Sequence, residues 1–138
     1  MKETHNREAI RIDQPVGALV KDLRRRGMLD DTLVLFTTEF GRTPFSQSKA
    51  TEVGTGRDHN QYGFSVWMAG AGLKPGTAYG ATDSIGWKAV DNRTSWYDFH
   101  ATVLKLLGID HTKLTFYHNG IQRRLTNVHG EVIKAILA

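Results

Sequence analysis

Apolar residues recur at helical spacing near the beginning of the chain. They are separated by three or four positions, which places them on one face of a helix: Ile12, Val16, Leu19, Val20 and Leu23. Asp13 can cap this helix, and Pro15 fits its first turn. Gly27 can adopt the left-handed conformation that ends helices. The pattern therefore predicts a helix over about residues 14–26.

Two short apolar runs follow, at residues 33–38 and 64–69. Neither run alternates between apolar and polar residues, which is typical of strands covered on both faces. We therefore expect both runs to be core strands. The first is expected to be a central strand of a parallel sheet. The residues between them, 39–63, are rich in glycine and polar side chains and predict an irregular loop, which at this length is usually functional or disordered.

The second half of the chain carries clearer local signals. Ser95 and Asp98 have the spacing of a capping box, and an apolar helical face follows until Gly108. Asn119-Gly120 lies between two strand-like runs and predicts a hairpin. Residues 132–137 suggest a closing helix. Helices and strands in this order indicate an α/β fold, a mixed sheet flanked by helices, and we expect residues 1–138 to form a single unit.

Composition narrows the class of protein. The chain has 138 residues, no cysteine, and 18 basic against 14 acidic residues, giving a net charge of +4. These values fit a folded protein without disulfides or thiolate metal sites. Four basic residues, Lys21, Arg24, Arg25 and Arg26, cluster at the end of the first helix, where they complement the helix dipole, and the remaining basic residues are scattered, so we expect no nucleic-acid partner. No apolar run is long enough to span a membrane, and the chain's start has no secretory signal pattern.

Candidate chemistry lies beside the two core strands. Glu39 follows the first strand, and His59 precedes the second; a carboxylate and an imidazole are common ligands of divalent cations. Asp58 is a further candidate ligand or a residue that supports the ligands, and Thr43 is placed with it as a supporting residue. Arg42 and Arg57 are expected to bind an anionic group. A metal ion together with arginines suits the hydrolysis of phosphate or sulfate esters.

The same stretches carry a resemblance to a known family. The segments are DDTLVLFTTEFGRTP (30–44), GRDHN (56–60), GFSVWMAGAGLKPGTAYGATDSIG (63–86) and DFHATVLKLLGIDHTKL (98–114). In this order they resemble the C-terminal part of the sulfatase-like domain-of-unknown-function family fifteen-oh-one, within the alkaline phosphatase superfamily. The resemblance implies part of a three-layer α/β sandwich with metal ligands at strand ends.

The resemblance also implies roles for individual residues. Glu39 takes the place of an aspartate ligand, and His59 is similar to a late histidine ligand. Phe40 stands where the superfamily has a second histidine, and phenylalanine cannot bind a metal. No residue of this chain matches the superfamily's nucleophile or its earlier ligands. We therefore expect the N-terminal part of the domain to be missing from this chain, and the chain alone to be inactive.

Two functional hypotheses remain at this point. In the first, the chain contributes part of a metal and anion site to a hydrolase of small-molecule or polymeric anionic esters; zinc, manganese, magnesium and calcium are not distinguished. In the second, it is a degenerate, non-catalytic sulfatase-like module whose loop 39–63 and exposed aromatic residues bind a partner or a carbohydrate surface. The resemblance further implies that the parent protein is exported to the periplasm or the cell exterior.

Overall fold

A computed structural model describes residues 2–138, with side chains from residue 4 onwards. Within that range the chain forms two α-helices and eight short strands. The helices are α1 (Lys2–Arg25) and α2 (Trp96–Leu106). The strands are β1 (Val34–Phe36), β2 (Gly41–Ser46), β3 (Arg57–Asn60), β4 (Trp67–Ala69), β5 (Ala81–Thr82), β6 (Ala89–Asp91), β7 (Thr115–His118) and β8 (Ile121–Arg124).

Helix α1 is longer than its apolar pattern predicts. It begins at Lys2, so Asp13 is an interior residue and the predicted N-cap is wrong. Arg7, Glu8 and Ala9 before it are good helix formers, and Glu8 forms an ion pair with Arg11 one turn later, 3.2 Å apart. Pro15 therefore lies inside the helix, where its missing N–H removes one backbone hydrogen bond.

The C-terminal end of α1 is as the sequence predicts. Gly27 has a φ of +68°. The Met28 N–H donates to the Leu23 carbonyl at 2.9 Å, and the Gly27 N–H donates to the Arg24 carbonyl at 3.1 Å. This pair of bonds is a Schellman motif, which satisfies carbonyls that a helix end otherwise leaves free.

The strands pair in four separate antiparallel sheets of two strands each: β1 with β4, β2 with β3, β5 with β6, and β7 with β8. The expectation of a parallel β1 is therefore not met by its pairing with β4, in which Leu35 lies opposite Met68. A non-alternating apolar run predicts burial on both faces, but it carries no information on the direction of the neighbouring strand. The alkaline-phosphatase-like sandwich remains an expectation.

The segment predicted to be an irregular loop contains a β-ribbon. Strands β2 and β3 pair across residues 41–60, with a register shift between Arg42 and Ser46. Pro44 lies within this shift, and proline is tolerated at such irregular positions because it has no N–H to donate. Glycine, proline and polar residues weaken the strand pattern of this segment, and pairing with residues 11 to 19 positions away compensates for it.

The described core surrounds α2. Ser95 and Asp98 form the predicted capping box, with the Ser95 N–H donating to Asp98 at 2.7 Å. The buried apolar residues are Phe99 and Ala101, and the segment 130–133 packs against the helix. The Ile133 N–H donates to the Thr102 hydroxyl at 2.9 Å. Trp96 covers this core, stacked on Phe64 with ring centroids 4.9 Å apart.

Two further local expectations have opposite outcomes. The Asn119-Gly120 hairpin is confirmed, because both residues have positive φ and connect β7 to β8. The closing helix at 132–137 is wrong; only a short 3-10 turn, Lys134–Ile136, forms there. The last residues of the chain instead run beside residues 72–74, where the Lys74 N–H donates to the Ile136 carbonyl at 2.8 Å. Among the described helices none has the length and apolar content needed to cross a bilayer.

Candidate functional site

The β2–β3 ribbon brings together residues from both polar clusters of the sequence. Its register places Arg42 directly opposite His59. The Arg42 guanidinium donates to the Arg57 carbonyl at 3.2 Å, so it reaches across the ribbon to the beginning of β3. Side chains of directly paired residues point to the same face of a ribbon. Arg42 and His59 are therefore neighbours on one exposed face.

Phe40 and Glu39 lie just before this ribbon. Glu39 is an exposed residue at the bend between β1 and β2. The Phe40 ring stacks on the His59 imidazole, with ring centroids 4.6 Å apart and an interplanar angle of 23°. Phe40 therefore holds the plane of the imidazole instead of supplying a ligand, and it connects the Glu39 bend with β3.

Thr43 and Asp58 are connected beneath this exposed face. Thr43 is buried, and its hydroxyl donates to the Phe45 carbonyl at 2.8 Å. The same hydroxyl accepts from the Asp58 N–H at 3.2 Å. The Asp58 carboxylate in turn accepts from the His59 N–H at 2.7 Å. Thr43 therefore fixes the backbone that carries Asp58, and Asp58 fixes the backbone of His59.

Asn60 anchors the ribbon to the rest of the protein. The sequence analysis did not identify this role of Asn60. It is 2% exposed, and its side-chain amide donates to the Trp87 carbonyl at 2.8 Å. Its side-chain oxygen accepts from the Tyr62 N–H at 3.0 Å. The partner of Asn60 is 27 residues away, so no local pattern could have revealed this bond.

Asp83 supports the turn that receives Asn60. Its carboxylate accepts from the Trp87 N–H at 2.7 Å and from the Lys88 N–H at 3.0 Å. The first of these bonds, with help from the second, lowers the pKa of Asp83 below its ordinary value, because both stabilise the charged carboxylate. The turn is thereby held in the shape that presents the Trp87 carbonyl to Asn60.

The structure explains why the E-F-G-R-T-P segment has a glycine at position 41. A Cβ at this position would collide with the carbonyl oxygen of Gly63, because the backbones of the ribbon and the segment before β4 touch there. A larger residue would push the ribbon away from β4. The glycine therefore sets the position of Arg42 and His59 relative to the β1–β4 sheet.

The candidate metal ligands near the β2–β3 ribbon are too few for a complete metal site. Among the described residues, no group of three or more histidine, aspartate or glutamate side chains is placed to hold a metal ion. A catalytic zinc usually has three protein ligands. Glu39 and His59 would supply two donors, and one oxygen of Asp58 already accepts a backbone hydrogen bond. Any metal bound here would need further ligands, whereas an anion could bind to the exposed guanidinium groups without them.

The chain belongs to the family described as "Protein of unknown function (DUF1501)", whose model matches residues 1–137. This match covers every segment on which the resemblance rested, including the one that ends in E-F-G-R-T-P. No curated protein matches the chain significantly. No solved structure matches it significantly either.

Proposed function

We propose that this chain supplies part of the metal- and anion-binding site of a metal-dependent hydrolase of phosphate or sulfate esters. The observation that carries the proposal is the cross-strand pair of Arg42 and His59, with Phe40 stacked on the imidazole and Glu39 preceding Phe40 in the chain. A cation and a potential metal ligand on one exposed face match the needs of a reaction whose transferred group carries negative charge.

The residues divide into three roles in this proposal. Glu39 and His59 would hold a divalent cation, which would neutralise charge on the ester oxygens. Arg42 and Arg57 would bind the remaining oxygens of the phosphate or sulfate group. Asp58 and Thr43 would keep β3 in register through the hydrogen bonds described above. The remaining metal ligands and the nucleophile would come from outside the residues matched here.

The same proposal extends to the fold. Strands β1 and β4 are apolar on both faces, as expected for inner strands of a larger sheet. This composition supports an alkaline-phosphatase-like sandwich in which the ribbon follows the end of β1. The partner would be a small-molecule or polymeric anionic ester, and export of the parent protein follows from the superfamily resemblance alone.

Metal binding tests the proposal directly. Titration calorimetry with Zn²⁺ and Mn²⁺ should show binding to the 138-residue chain that Glu39→Gln or His59→Gln weakens by about tenfold or more. His118→Gln and Glu131→Gln are matched controls, because both residues are exposed and neither belongs to the β2–β3 ribbon. Equal affinities for the site and control variants would contradict the assignment.

Turnover by the isolated chain tests the expected absence of a nucleophile. We expect the isolated chain not to hydrolyse p-nitrophenyl phosphate or p-nitrophenyl sulfate in the presence of Zn²⁺, Mn²⁺, Mg²⁺ or Ca²⁺. Metal-dependent turnover that Glu39→Ala and His59→Ala abolish would overturn this expectation and would show that the chain is catalytic by itself.

The alternative is a non-catalytic module, and one observation favours it. Phe40 occupies the position where the superfamily has a metal-binding histidine, and it covers one face of His59. A phenylalanine there removes a ligand and leaves an aromatic and cationic face suited to binding an anionic partner. Tight binding of a divalent cation by the protein would argue against this alternative.

A further inference from the structure

The tip of the β7–β8 hairpin is the turn Asn119-Gly120, the one asparagine–glycine pair among the five asparagines of the chain. Both residues are exposed. Their φ angles are +50° and +80°, as the two central residues of a type I′ turn require. Glycine has no Cβ, so its backbone nitrogen is the least crowded one that can follow an asparagine.

The two groups that can react with each other at this turn are both free. In the described chain, the Asn119 side-chain amide has no hydrogen-bond partner. The Gly120 N–H donates to no other group there either. The Asn119 amide carbon and the Gly120 nitrogen belong to adjacent residues, so only the torsion angles of Asn119 keep them apart.

Tertiary packing does little to keep this turn closed. Tyr117 is 70% exposed, Ile121 is 55% exposed and Phe116 is 44% exposed. Within residues 4–138, no side chain of the segment 115–124 forms a hydrogen bond or an ion pair. A two-stranded hairpin is only marginally stable by itself, and exposed backbone hydrogen bonds open locally at low cost. Asn119 can therefore leave its left-handed conformation and bring its amide carbon to the Gly120 nitrogen.

We propose that Asn119 is a site of spontaneous deamidation, and that the modification loosens the β7–β8 hairpin. The Gly120 backbone nitrogen attacks the Asn119 side-chain carbonyl carbon and loses its proton. The carbon–nitrogen bond of the side-chain amide breaks, and ammonia leaves. Water then opens the resulting succinimide at either of its carbonyls, which gives aspartate or isoaspartate. Water is the only co-reactant.

The products change both the backbone and the charge of the hairpin. Isoaspartate adds one methylene carbon to the main chain between the two strands, and a two-residue type I′ turn cannot accommodate it. Either product adds a carboxylate to residues 111–130, a stretch that contains Lys113, Arg123 and Arg124 but no acidic residue. The net charge of the protein therefore falls by one, and the isoaspartate form pairs β7 with β8 less tightly.

Incubation of the whole chain at mildly alkaline pH, followed by peptide mapping with mass spectrometry, tests the modification. We expect Asn119 of the folded protein to deamidate within about tenfold of its rate in urea, because the unpacked hairpin opens readily. Asn127 is the matched internal control, because it is exposed and has a φ of +54° but is followed by the β-branched Val128. Asn127 should stay unmodified over the same time. Stronger protection of Asn119 by folding, or equal rates at Asn119 and Asn127, would overturn the proposal.

Hydrogen exchange of the modified protein tests the effect on the hairpin. Cation-exchange chromatography isolates the isoaspartate form, because its lower positive charge weakens its binding to the resin. In this form the amides of β7 and β8 should exchange faster than in the unmodified protein, while those of α2 should not change. Asn119→Asp is the matched control, because it adds the same charge without the extra backbone atom, and it should exchange as the unmodified protein does. Unchanged exchange in the isoaspartate form, or equally fast exchange in Asn119→Asp, would contradict the proposed loosening by the altered backbone.

Discussion

The α2 region and the β1–β4 region are both built from apolar sequence, yet they differ in how completely they are covered. In the α2 region Phe99 is 7% exposed, Ala101 is fully buried and the C-terminal segment packs against the helix. In the β1–β4 region Phe36 remains 47% exposed. Apolar residues favour burial, but whether they are buried in this chain depends on which other segments pack against them.

Polar groups show the same difference. Around α2 the Thr102 hydroxyl donates to the Asp98 carbonyl at 2.7 Å and accepts from the Ile133 N–H, so a fully buried group has both partners. At the β2–β3 ribbon the predicted site residues Glu39, Arg42 and His59 are exposed. The α2 region is organised for stability, whereas the ribbon presents its chemistry to water.

Phenylalanine truncation should show the largest difference between the two regions. We expect Phe99→Ala to lower the free energy of unfolding by about 3 kcal/mol, because it leaves a cavity in the core. Phe36→Ala should cost about 1 kcal/mol or less, because nearly half of its side chain is already in water. Urea denaturation of the wild type and the two variants measures both losses. Equal losses would show that the sheet is packed as well as α2.

Removing the Thr102 hydroxyl should have the next largest effect. Thr102→Val keeps the shape of the side chain but leaves the part-buried Ile133 N–H without an acceptor, which should cost about 1 kcal/mol. Thr115→Val is the matched control, because Thr115 is exposed on β7 and should change stability by less than about 0.5 kcal/mol. Thermal unfolding followed by circular dichroism compares the two. A Thr102→Val loss no greater than that of the control would contradict this role.

The Asp98 carboxylate should make the α2 region sensitive to acid. Partial burial acts to raise its pKa, but hydrogen bonds from the Ser95 and Glu131 N–H groups outweigh it, and the pKa of Asp98 lies below its ordinary value. A carboxyl with a lowered folded-state pKa stabilises the fold above its unfolded value, about 3.9, and loses that contribution as the pH falls through the folded value.

Asp98→Asn should therefore be less stable than the wild type at pH 6, by about 0.5 kcal/mol from the lost charge at the helix N-terminus. The difference between the two proteins should shrink as the pH falls below about 4. Urea denaturation between pH 6 and pH 2.5 measures it. A difference that stays constant over this range would show that the charge of Asp98 does not act in the folded state.

Neutralising the exposed ribbon should have the smallest effect on stability. Arg42→Gln and Glu39→Gln should each change the free energy of unfolding by less than about 0.5 kcal/mol, because both residues are exposed. They should nevertheless weaken anion or metal binding, as measured by calorimetry with sulfate or Zn²⁺. A large loss of stability with unchanged binding would show that these residues support the fold and do not bind the anion or the metal.

Local signals in the sequence were sufficient for several elements. The Ser95–Asp98 capping box and the Asn119-Gly120 turn were predicted and formed, because each depends on residues within three positions of one another. The start of α1 and the closing helix were predicted wrongly. Helix propensity upstream of Asp13 extends the first, and the pairing of the C-terminal segment with residues 72–74 replaces the second.

The candidate site was predictable as a set of residues but not as a geometry. The spacing grouped Glu39 with Arg42, and Arg57 with His59, as two clusters beside the core strands. That Arg42 pairs with His59 depends on the register of β2 and β3, and that Phe40 stacks on His59 depends on the same pairing. Asn60 was missed because its partner, Trp87, is distant in the chain.

By itself the sequence determined the capped helix α2, the β7–β8 turn, the apolar character of β1 and β4, and the residue types available for chemistry, because each is a property of neighbouring residues. Tertiary structure alone decided that the 39–63 segment folds into a ribbon, that Arg42 lies beside His59, and that β1 and β4 stay uncovered. Those outcomes require residues that lie 11 or more positions apart in the chain to meet, and hydrogen bonds and burial between distant segments leave no local pattern.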